Sequence, residues 1–227
     1  LDDDDLDLDL GQSDLIDPIT LTRFPPVWRA ALRPEGDAQL RAVGHYWERL
    51  VSGYDVPHVA ARTRPKGGKV RLGVVSANMR DNGIGRWIAG LVRAIDRDRF
   101  DITVIRPPLG EDDITARIDA EADLVVPLPL DPLHSARVIA GLDLDVLHYA
   151  DPQADAYTML LASWRLAPLQ IAGGGIAATT GLANIDCHLI AEDWETAGGE
   201  TRFSEELIRL PGLFVNATRP DEITLSP

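Results

Sequence analysis

The stretch VRLGVVSANMRDNGIGRWIAGLVRAI, residues 70–95, changes its hydrophobic pattern halfway along. Residues 70–76 are mostly apolar and β-branched, which is typical of a buried strand. A turn rich in Asn and Gly follows, and apolar side chains then recur on one face of a helix, at Ile88, Leu91, Val92 and Ile95. The stretch therefore predicts a strand, a turn and a helix in that order.

The same alternation continues along the chain. Further strands are predicted over residues 100–105, 124–126, 145–149, 169–172 and 187–190. Further helices are predicted over residues 114–122, 131–142, 156–166 and 204–207, and Asp131 is the expected cap of the second. Because strands that alternate with helices of about ten residues form parallel βαβ units, we predict an α/β fold with a Rossmann-like, doubly wound parallel sheet.

The residues before this domain divide into two segments. Residues 1–18, LDDDDLDLDLGQSDLIDP, predict an acidic tail, because charges this dense repel each other. A calcium site is the alternative, although the Gly and terminal Glu of an EF-hand loop are missing. Residues 19–65 place Leu40, Val43 and Trp47 at helical spacing and predict a lead-in of two or three short helices. Residues 66–220 are then predicted to form the Rossmann-like domain, and residues 221–227 are predicted to begin a linker to a C-terminal domain.

Composition limits the classes of partner. The 227 residues are 45% apolar and 26% charged, as in soluble globular proteins, and the net charge is −14. Such a charge repels nucleic acid and anionic membranes, and no apolar run reaches the roughly 18 residues of a membrane span.

The single cysteine, Cys187, excludes an internal disulfide, and we expect a cytoplasmic protein. Because the chain begins with Leu and shows no signal peptide, we expect a fragment of a longer protein.

Two loops at the carboxyl ends of predicted strands are candidates for ligand binding, since that edge of such sheets binds ligands. Residues 76–85, SANMRDNGIG, carry Gly83 and Gly85, which would let an anion approach a helix N-terminus. Residues 173–181, GGGIAATTG, offer backbone N–H groups and the hydroxyls of Thr179 and Thr180 for a phosphate or a sugar. Neither loop is a Gly-x-Gly-x-x-Gly fingerprint or a P-loop, so an ordinary turn remains the alternative for both.

Other polar residues carry weaker signals. Neither His134 nor His148 has a second ligand at metal spacing, so no metal site is predicted. Cys187 is predicted to be a buried, unreactive thiol, and Trp87 and Trp164 are predicted to be core residues of helices. The acidic cluster at residues 192–195 indicates paired carboxylates for glycoside hydrolysis or, alternatively, a solvated loop.

An ordered series of short motifs resembles one known family. RLAPLQ at residues 165–170 is followed by Gly175, by TTG at residues 179–181, by Ile185-Asp186 and by FSEELIRLPG at residues 203–212. Upstream, RLGVVS at residues 71–76 and RFDITV at residues 99–104 come in the family's order. Over about 150 residues, the series resembles the O-GlcNAc transferase family, which includes SPINDLY-type enzymes and bacterial N-glucosyltransferases.

The resemblance implies a bacterial glycosyltransferase of the GT-B architecture, in which two Rossmann-like domains face a cleft. The C-terminal domain of that architecture binds most of a nucleotide sugar such as UDP-GlcNAc, and the N-terminal domain lines the acceptor side. This chain resembles the N-terminal half. The expected partners are therefore a protein or peptide acceptor and a C-terminal GT-B domain, with a donor substrate and no cofactor.

The same resemblance places the substrate-facing residues and shows three departures. Asn82 stands where members usually carry a histidine proposed as the catalytic base, and Asn cannot take a proton at neutral pH. Gly175-Ile176-Ala177 replaces a Gly-His-Pro or Gly-Tyr-Pro, and residues 150–153 replace a Gly-His-Thr. Asp81 and Arg86 are weak catalytic candidates. The predicted substrate-facing residues are Ser76, Asn82, Asp151, Gln153, Gly175, Thr179, Thr180 and Gly181.

Three functions follow from these observations. The first is the acceptor-side half of a glycosyltransferase that moves a sugar onto a protein side chain, with the chain alone expected to be inactive. The second is a non-catalytic binding or scaffold domain of the same fold, which the loss of the family histidine favours. The third, a nucleotide-dependent oxidoreductase, is disfavoured because the dinucleotide fingerprint is absent.

Overall fold

The structure is a computed structural model that describes residues 36–60, 67–107 and 110–212. The predicted acidic tail, the first part of the helical lead-in and the linker at residues 221–227 lie outside the described residues. Among the helices that are described, none has the length and apolar character needed to cross a bilayer.

The centre of the fold is one sheet of parallel strands. Its strands are β1 (Val70–Val75), β2 (Phe100–Arg106), β3 (Leu124–Pro127), β4 (Val146–Tyr149), β5 (Leu169–Gly173), β6 (Cys187–Ala191) and β7 (Glu206–Leu210). They lie in the order β3-β2-β1-β4-β5-β6-β7, and every neighbouring pair is parallel. The predicted doubly wound α/β sheet is confirmed, and its switch point lies between β1 and β4.

Helices cover both faces of the sheet. They are α1 (Gly36–Val51), α2 (Gly83–Ala94), α3 (Asp113–Glu121), α4 (Pro132–Ala140) and α5 (Ala156–Ala162). Alternate residues of β1 supply both cores: Val74 packs with α2 and α3 on one face, whereas Val75 packs with α1, α4 and α5 on the other. Continuous apolar strands are expected when both faces of a parallel sheet are buried.

Side-chain caps explain where most of these helices begin. The Asn82 Oδ1 atom accepts from the Gly85 N–H at 2.9 Å, and Asp112 forms a capping box with Thr115 at the start of α3. The predicted Asp131 cap is confirmed, because its carboxylate accepts from the Leu133 N–H at 3.0 Å and Pro132 follows it. Asp155 caps α5 in the same way.

The helix predicted over residues 204–207 is wrong, because this segment enters strand β7. The Glu-Glu-Leu run in this segment has helix propensity, but that is a weak preference that tertiary pairing overrides. In the fold, residues 206–210 pair in register with residues 187–191 of β6, and they extend the sheet by one strand.

The helix predicted over residues 156–166 ends earlier, at Ala162. The Gln170 side chain binds the chain beyond that point: its Oε1 accepts from the Leu166 N–H at 2.8 Å, and its Nε2 donates to the Trp164 carbonyl at 3.0 Å. Because these backbone groups are held by a strand residue, they no longer continue the helix. Trp164 therefore follows the helix, although it is buried as predicted.

The described part of the lead-in, residues 36–60, contains one sixteen-residue helix, α1. The two or three short helices predicted for the whole lead-in extend into residues that the structure does not describe. Its apolar face is buried in the same core as the sheet, through Trp47 and Val51. Gly44 lies against the backbone of Gly181 so closely that an added Cβ would overlap the Gly181 carbonyl. The helix is therefore packed directly on the Thr-Thr-Gly turn.

Candidate functional site

A cleft of about 450 Å³ opens at the switch point of the sheet. Such points are where doubly wound sheets bind ligands, because the flanking loops diverge there. Its walls come from the turn after β1, from the first turns of α2 and from the loop after β5. The lining residues are Asn78, Asn82, Gly83, Ile84, Trp87, Gly174 and Gly175. We call this space the switch-point cleft.

The buried carboxyl group of Asp151, two residues after the end of β4, lies next to this cleft. The Asn78 Nδ2 atom donates to the Asp151 Oδ2 atom at 2.6 Å, and the Cβ of Asp151 lies beneath Gly175. Its other oxygen, Oδ1, has no hydrogen-bond partner within the described residues. Ser76, also fully buried, accepts from the Asn78 N–H at 2.9 Å and thereby fixes the same turn.

Burial raises the pKa of Asp151 to about 7, because the charged form loses its hydration. Hydrogen bonding from Ser76 and Asn78 acts in the opposite direction, whereas the nearby charge of Asp155 raises the pKa further. A carboxyl group that titrates near neutrality beside a cleft is a physical indicator of a functional site.

Asn82 and the pair formed by Asp81 and Arg86, which lie in the turn after β1 and the first turn of α2, have different surroundings. Asn82 lines the cleft, but its Oδ1 atom is occupied as the cap of α2. Asp81 forms an exposed ion pair with Arg86, with 2.6 Å between the Arg86 Nη2 atom and the Asp81 Oδ1 atom. The Asp81 N–H donates to Asp112, so this pair lies on the side of α3 and outside the cleft lining.

The glycines after β5 permit close packing at the cleft. Gly174 has φ +110°, and an added Cβ would overlap the Trp87 ring. Gly175 lies above Asp151, and its N–H donates to the Ala150 carbonyl at 2.9 Å. Trp87 is 5% exposed, which agrees with the predicted core role, yet its ring also borders the cleft.

The hydroxyls of the predicted Thr-Thr-Gly motif donate to a buried carboxylate, Glu205. The Thr179 Oγ1 atom donates to Glu205 Oε2 at 2.6 Å, and the Thr180 N–H donates to Glu205 Oε1 at 2.6 Å. The Thr180 hydroxyl also donates to Glu205, and Ser204 adds a fourth bond. Neither threonine lines the switch-point cleft. We call this cluster the threonine turn.

Two more predicted residues belong to the surroundings of the threonine turn. Gln153 is buried after β4, and its Nε2 atom donates to the Ala178 carbonyl at 2.6 Å. Gly181 has φ +73° and lies against the backbone of Leu40 in α1. The structure thus brings Ser76, Asn82, Asp151 and Gly175 to the switch-point cleft and places the other four predicted residues at the threonine turn.

The remaining sequence candidates, His148, Cys187 and the acidic cluster at residues 192–195, are held by burial or by contacts within the fold. His148 is buried, and its Nε2 atom lies 2.8 Å from the Gly173 carbonyl oxygen; burial lowers its pKa to about 4. Burial, with the charges of Asp186 and Glu206, raises the pKa of the Cys187 thiol to about 11. Glu195 is 7% exposed and pairs with Arg202, so the acidic cluster is not wholly solvated. Within the described ranges, no three metal-binding side chains meet.

Sequence reasoning missed two residues that organise these regions, Asn78 and Glu205. Asn78 had a signal, because it lies within the turn that was singled out. Glu205 also lies in a quoted motif, at residues 203–212, but no local pattern marks its role, because that role depends on threonines 25 and 26 positions earlier in the chain.

Comparisons with known proteins bear on the fold. No family model matches the chain, and no curated protein matches it. Among solved structures, it is similar to a mutant O-GlcNAc transferase from Thermobaculum terrenum, with a TM-score of 0.68 and 20% identity. The match covers 81% of this chain and 36% of that chain. The chain therefore has the Rossmann-like fold of a domain in that glycosyltransferase, and it spans about a third of the transferase's length.

Proposed function

We propose that this chain is the acceptor-side half of a protein glycosyltransferase that uses a nucleotide sugar. The observation that carries the proposal is the switch-point cleft, formed at the ligand-binding edge of a fold that an O-GlcNAc transferase shares. The donor, of the UDP-GlcNAc type, would bind mainly to a C-terminal GT-B domain. The acceptor would be a protein or peptide side chain, and the reaction would take place in the cytoplasm.

In this proposal, the switch-point cleft positions the acceptor. Sugar transfer requires that an acceptor group be held close to the donor carbon and that its proton be removed. Asn82 can position a group by hydrogen bonding but cannot accept the proton. The cleft polar groups that remain for the acceptor are therefore the amides of Asn78 and Asn82, with Asp151 behind them.

The experiment is a transfer assay on the full-length protein that contains this chain. Radiolabelled UDP-GlcNAc, UDP-glucose and GDP-fucose are offered with a cell lysate as the source of acceptors, and released nucleotide is measured in parallel. We expect labelled protein or nucleotide release from the full-length protein and neither from the 227-residue chain alone. If the full-length protein neither transfers nor hydrolyses any donor, the proposal is wrong.

The second candidate function is a non-catalytic binding or scaffold domain. It is favoured by the role of Asn82 as a helix cap, because a residue committed to α2 is less free to act on a substrate. The Asn82→His variant of the full-length protein distinguishes the two. A large gain in transfer would indicate a degenerate enzyme that has lost its base, whereas unchanged transfer would indicate that the natural protein uses another route for the proton.

A further inference from the structure

The two polar side chains that line the switch-point cleft present opposite ends of their amides. Asn78 uses its Nδ2 atom to donate to Asp151, which leaves its Oδ1 atom, at the other end of the amide group, as an acceptor. Asn82 uses its Oδ1 atom to accept from Gly85, which leaves its Nδ2 atom as a donor. These two side chains therefore offer one hydrogen-bond acceptor and one donor to the cleft.

A hydroxyl group matches this pair, because it donates one hydrogen bond and accepts others. A carboxylate or phosphate would meet the acceptor oxygen of Asn78 unfavourably, and an ammonium group would meet the donor of Asn82 in the same way. The remaining walls of the cleft are the Ile84 and Trp87 side chains and backbone at Gly174 and Gly175, which suit the apolar faces of a sugar ring or a peptide.

The orientation of Asn78 depends on the buried carboxyl group behind it. An ionised Asp151 can only accept, so it requires the Nδ2 atom of Asn78 and turns the Oδ1 atom away. A protonated Asp151 can instead donate to that oxygen, which would reverse the amide and remove the acceptor from the ligand side. Asp151 is fully buried and therefore acts on a ligand through Asn78.

We propose that the switch-point cleft binds a ligand hydroxyl between Asn78 and Asn82, and that Asp151 is a positioning residue that keeps the Asn78 Oδ1 atom turned toward it. This inference rests on the proposed function only for the source of the hydroxyl, which belongs to a sugar or to a Ser or Thr side chain. The binding step needs no second domain, so the 227-residue chain is sufficient to test it.

The positioning role predicts a pH dependence. Burial and the charge of Asp155 raise the pKa of Asp151 to about 7, against hydrogen bonding from Ser76 and Asn78. Asp155, at the start of α5, is the charged neighbour. Gly175, in the loop after β5, lies against the Asp151 Cβ atom and beside Ile84 of α2, and neither residue titrates. His148, earlier on β4, stays neutral because burial lowers its pKa to about 4. Hydroxyl binding is therefore expected to strengthen as pH rises through about 7.

The test follows the side-chain amide signals of Asn78 and Asn82 by NMR in the isotope-labelled chain. One arm adds N-acetylglucosamine, and the other adds a serine-containing peptide, with a peptide that has Ala in place of Ser as its control. We expect one probe to shift both amide signals, and the responding probe identifies the source of the hydroxyl. If neither probe shifts them, or if the Ala peptide acts like the Ser peptide without a sugar response, the proposal is overturned.

Variants separate positioning from a merely structural role. Asn78→Ala should weaken binding of the responding probe by about tenfold, the effect of losing one hydrogen bond. Asp151→Asn should abolish the pH dependence of binding, since Asn does not titrate. The matched control is Asp155→Asn, which removes a neighbouring half-buried charge, keeps a good helix cap and should only move the pH midpoint downward. If probe binding to Asp151→Asn still depends on pH, the inference is contradicted.

The binding test and the transfer assay can each give a negative result without the other. If the full-length protein transfers sugar while Asn78→Ala binds and reacts normally, the hydroxyl site is wrong and the proposed function stands. If the full-length protein is inactive with every donor while a probe still shifts the Asn78 signal, the hydroxyl site stands in a non-catalytic domain.

Discussion

The switch-point cleft and the threonine turn both include residues that follow strand β5, but their polar groups differ in how far they are hydrogen-bonded within the protein. At the cleft, the Asn82 amide and the Asn78 amide each use one end internally, and Asp151 has a buried oxygen without a partner in the described chain. At the threonine turn, both hydroxyls and one backbone N–H are taken up by Glu205. The cleft retains hydrogen-bonding capacity in its two amides, whereas the hydroxyls of the threonine turn are already bonded to Glu205.

The difference shows why a Gly-rich loop with hydroxyls is an incomplete signal of ligand binding. A hydroxyl binds a ligand only if no internal acceptor competes for it, and an internal bond that is buried is costly to break. The threonine turn has such an acceptor, and helix α1 covers it through Gly44. If the two regions differ in this way, substitutions at the threonine turn should cost more stability than substitutions at the cleft.

The largest effect is expected for Glu205→Ala. The substitution leaves the buried donors of Thr179 and Thr180 without their acceptor, so we expect the free energy of unfolding to fall by about 3–5 kcal/mol. Urea denaturation measures it. The adjacent Glu206→Ala is the control, because Glu206 is exposed and its loss should change stability by at most about 0.5 kcal/mol. Equal effects of the two variants would show that the threonine turn is not held by Glu205.

Asp151→Asn is expected to stabilise the protein at high pH. Burial raises the pKa of folded Asp151 from 3.8 to about 7, so the folded state favours the protonated form. This stabilising contribution is complete below the unfolded pKa and is lost as pH rises through about 7. Asn avoids the buried charge, so its advantage should be absent near pH 4 and should reach about 2–4 kcal/mol at pH 8.

Denaturation of wild type and Asp151→Asn across this pH range measures the difference. A constant difference between pH 4 and pH 8 would show that Asp151 titrates normally. The ionisation of Asp151 would then not distinguish the cleft from the threonine turn, which also contains a buried carboxyl group, Glu205.

Gly44→Ala tests the contact that covers the threonine turn. Alanine favours a helix interior over glycine by about 1 kcal/mol, but here its Cβ would overlap the Gly181 carbonyl. We expect a net destabilisation of about 2 kcal/mol, which reverses the usual sign. In Gly53→Ala, the added Cβ meets nothing within 4 Å, and this control should change stability little. Stabilisation by Gly44→Ala would mean that α1 does not press on the turn.

The smallest effect is expected at Asn82, where the cleft borders a helix terminus. Asn82→Ala removes the cap of α2 and should cost about 1 kcal/mol, whereas Asn82→Asp keeps an acceptor for the Gly85 N–H and should cost little. Thermal denaturation of the three proteins gives the comparison. If both variants lose the same stability, the capping role of Asn82 is wrong.

The sequence by itself determined the order of strands and helices, because hydrophobic periodicity and capping residues are local signals. It predicted β1 to β6 closely, placed the Asp131 cap and identified the turns at the carboxyl edge of the sheet. It was wrong where local preference opposed long-range pairing. Residues 204–207 have helix-forming character, yet pairing with β6 draws this segment into β7.

Only the tertiary structure decided which polar residues face the cleft. Thr179 and Thr180 look available in sequence, but Glu205 is brought to them by the pairing of β7 with β6. Asp151 looks like an ordinary loop acid, but burial beneath Gly175 and beside Asn78 changes its ionisation. Hydrogen bonding and desolvation depend on groups distant in the chain, and those groups are known only when the sheet is assembled.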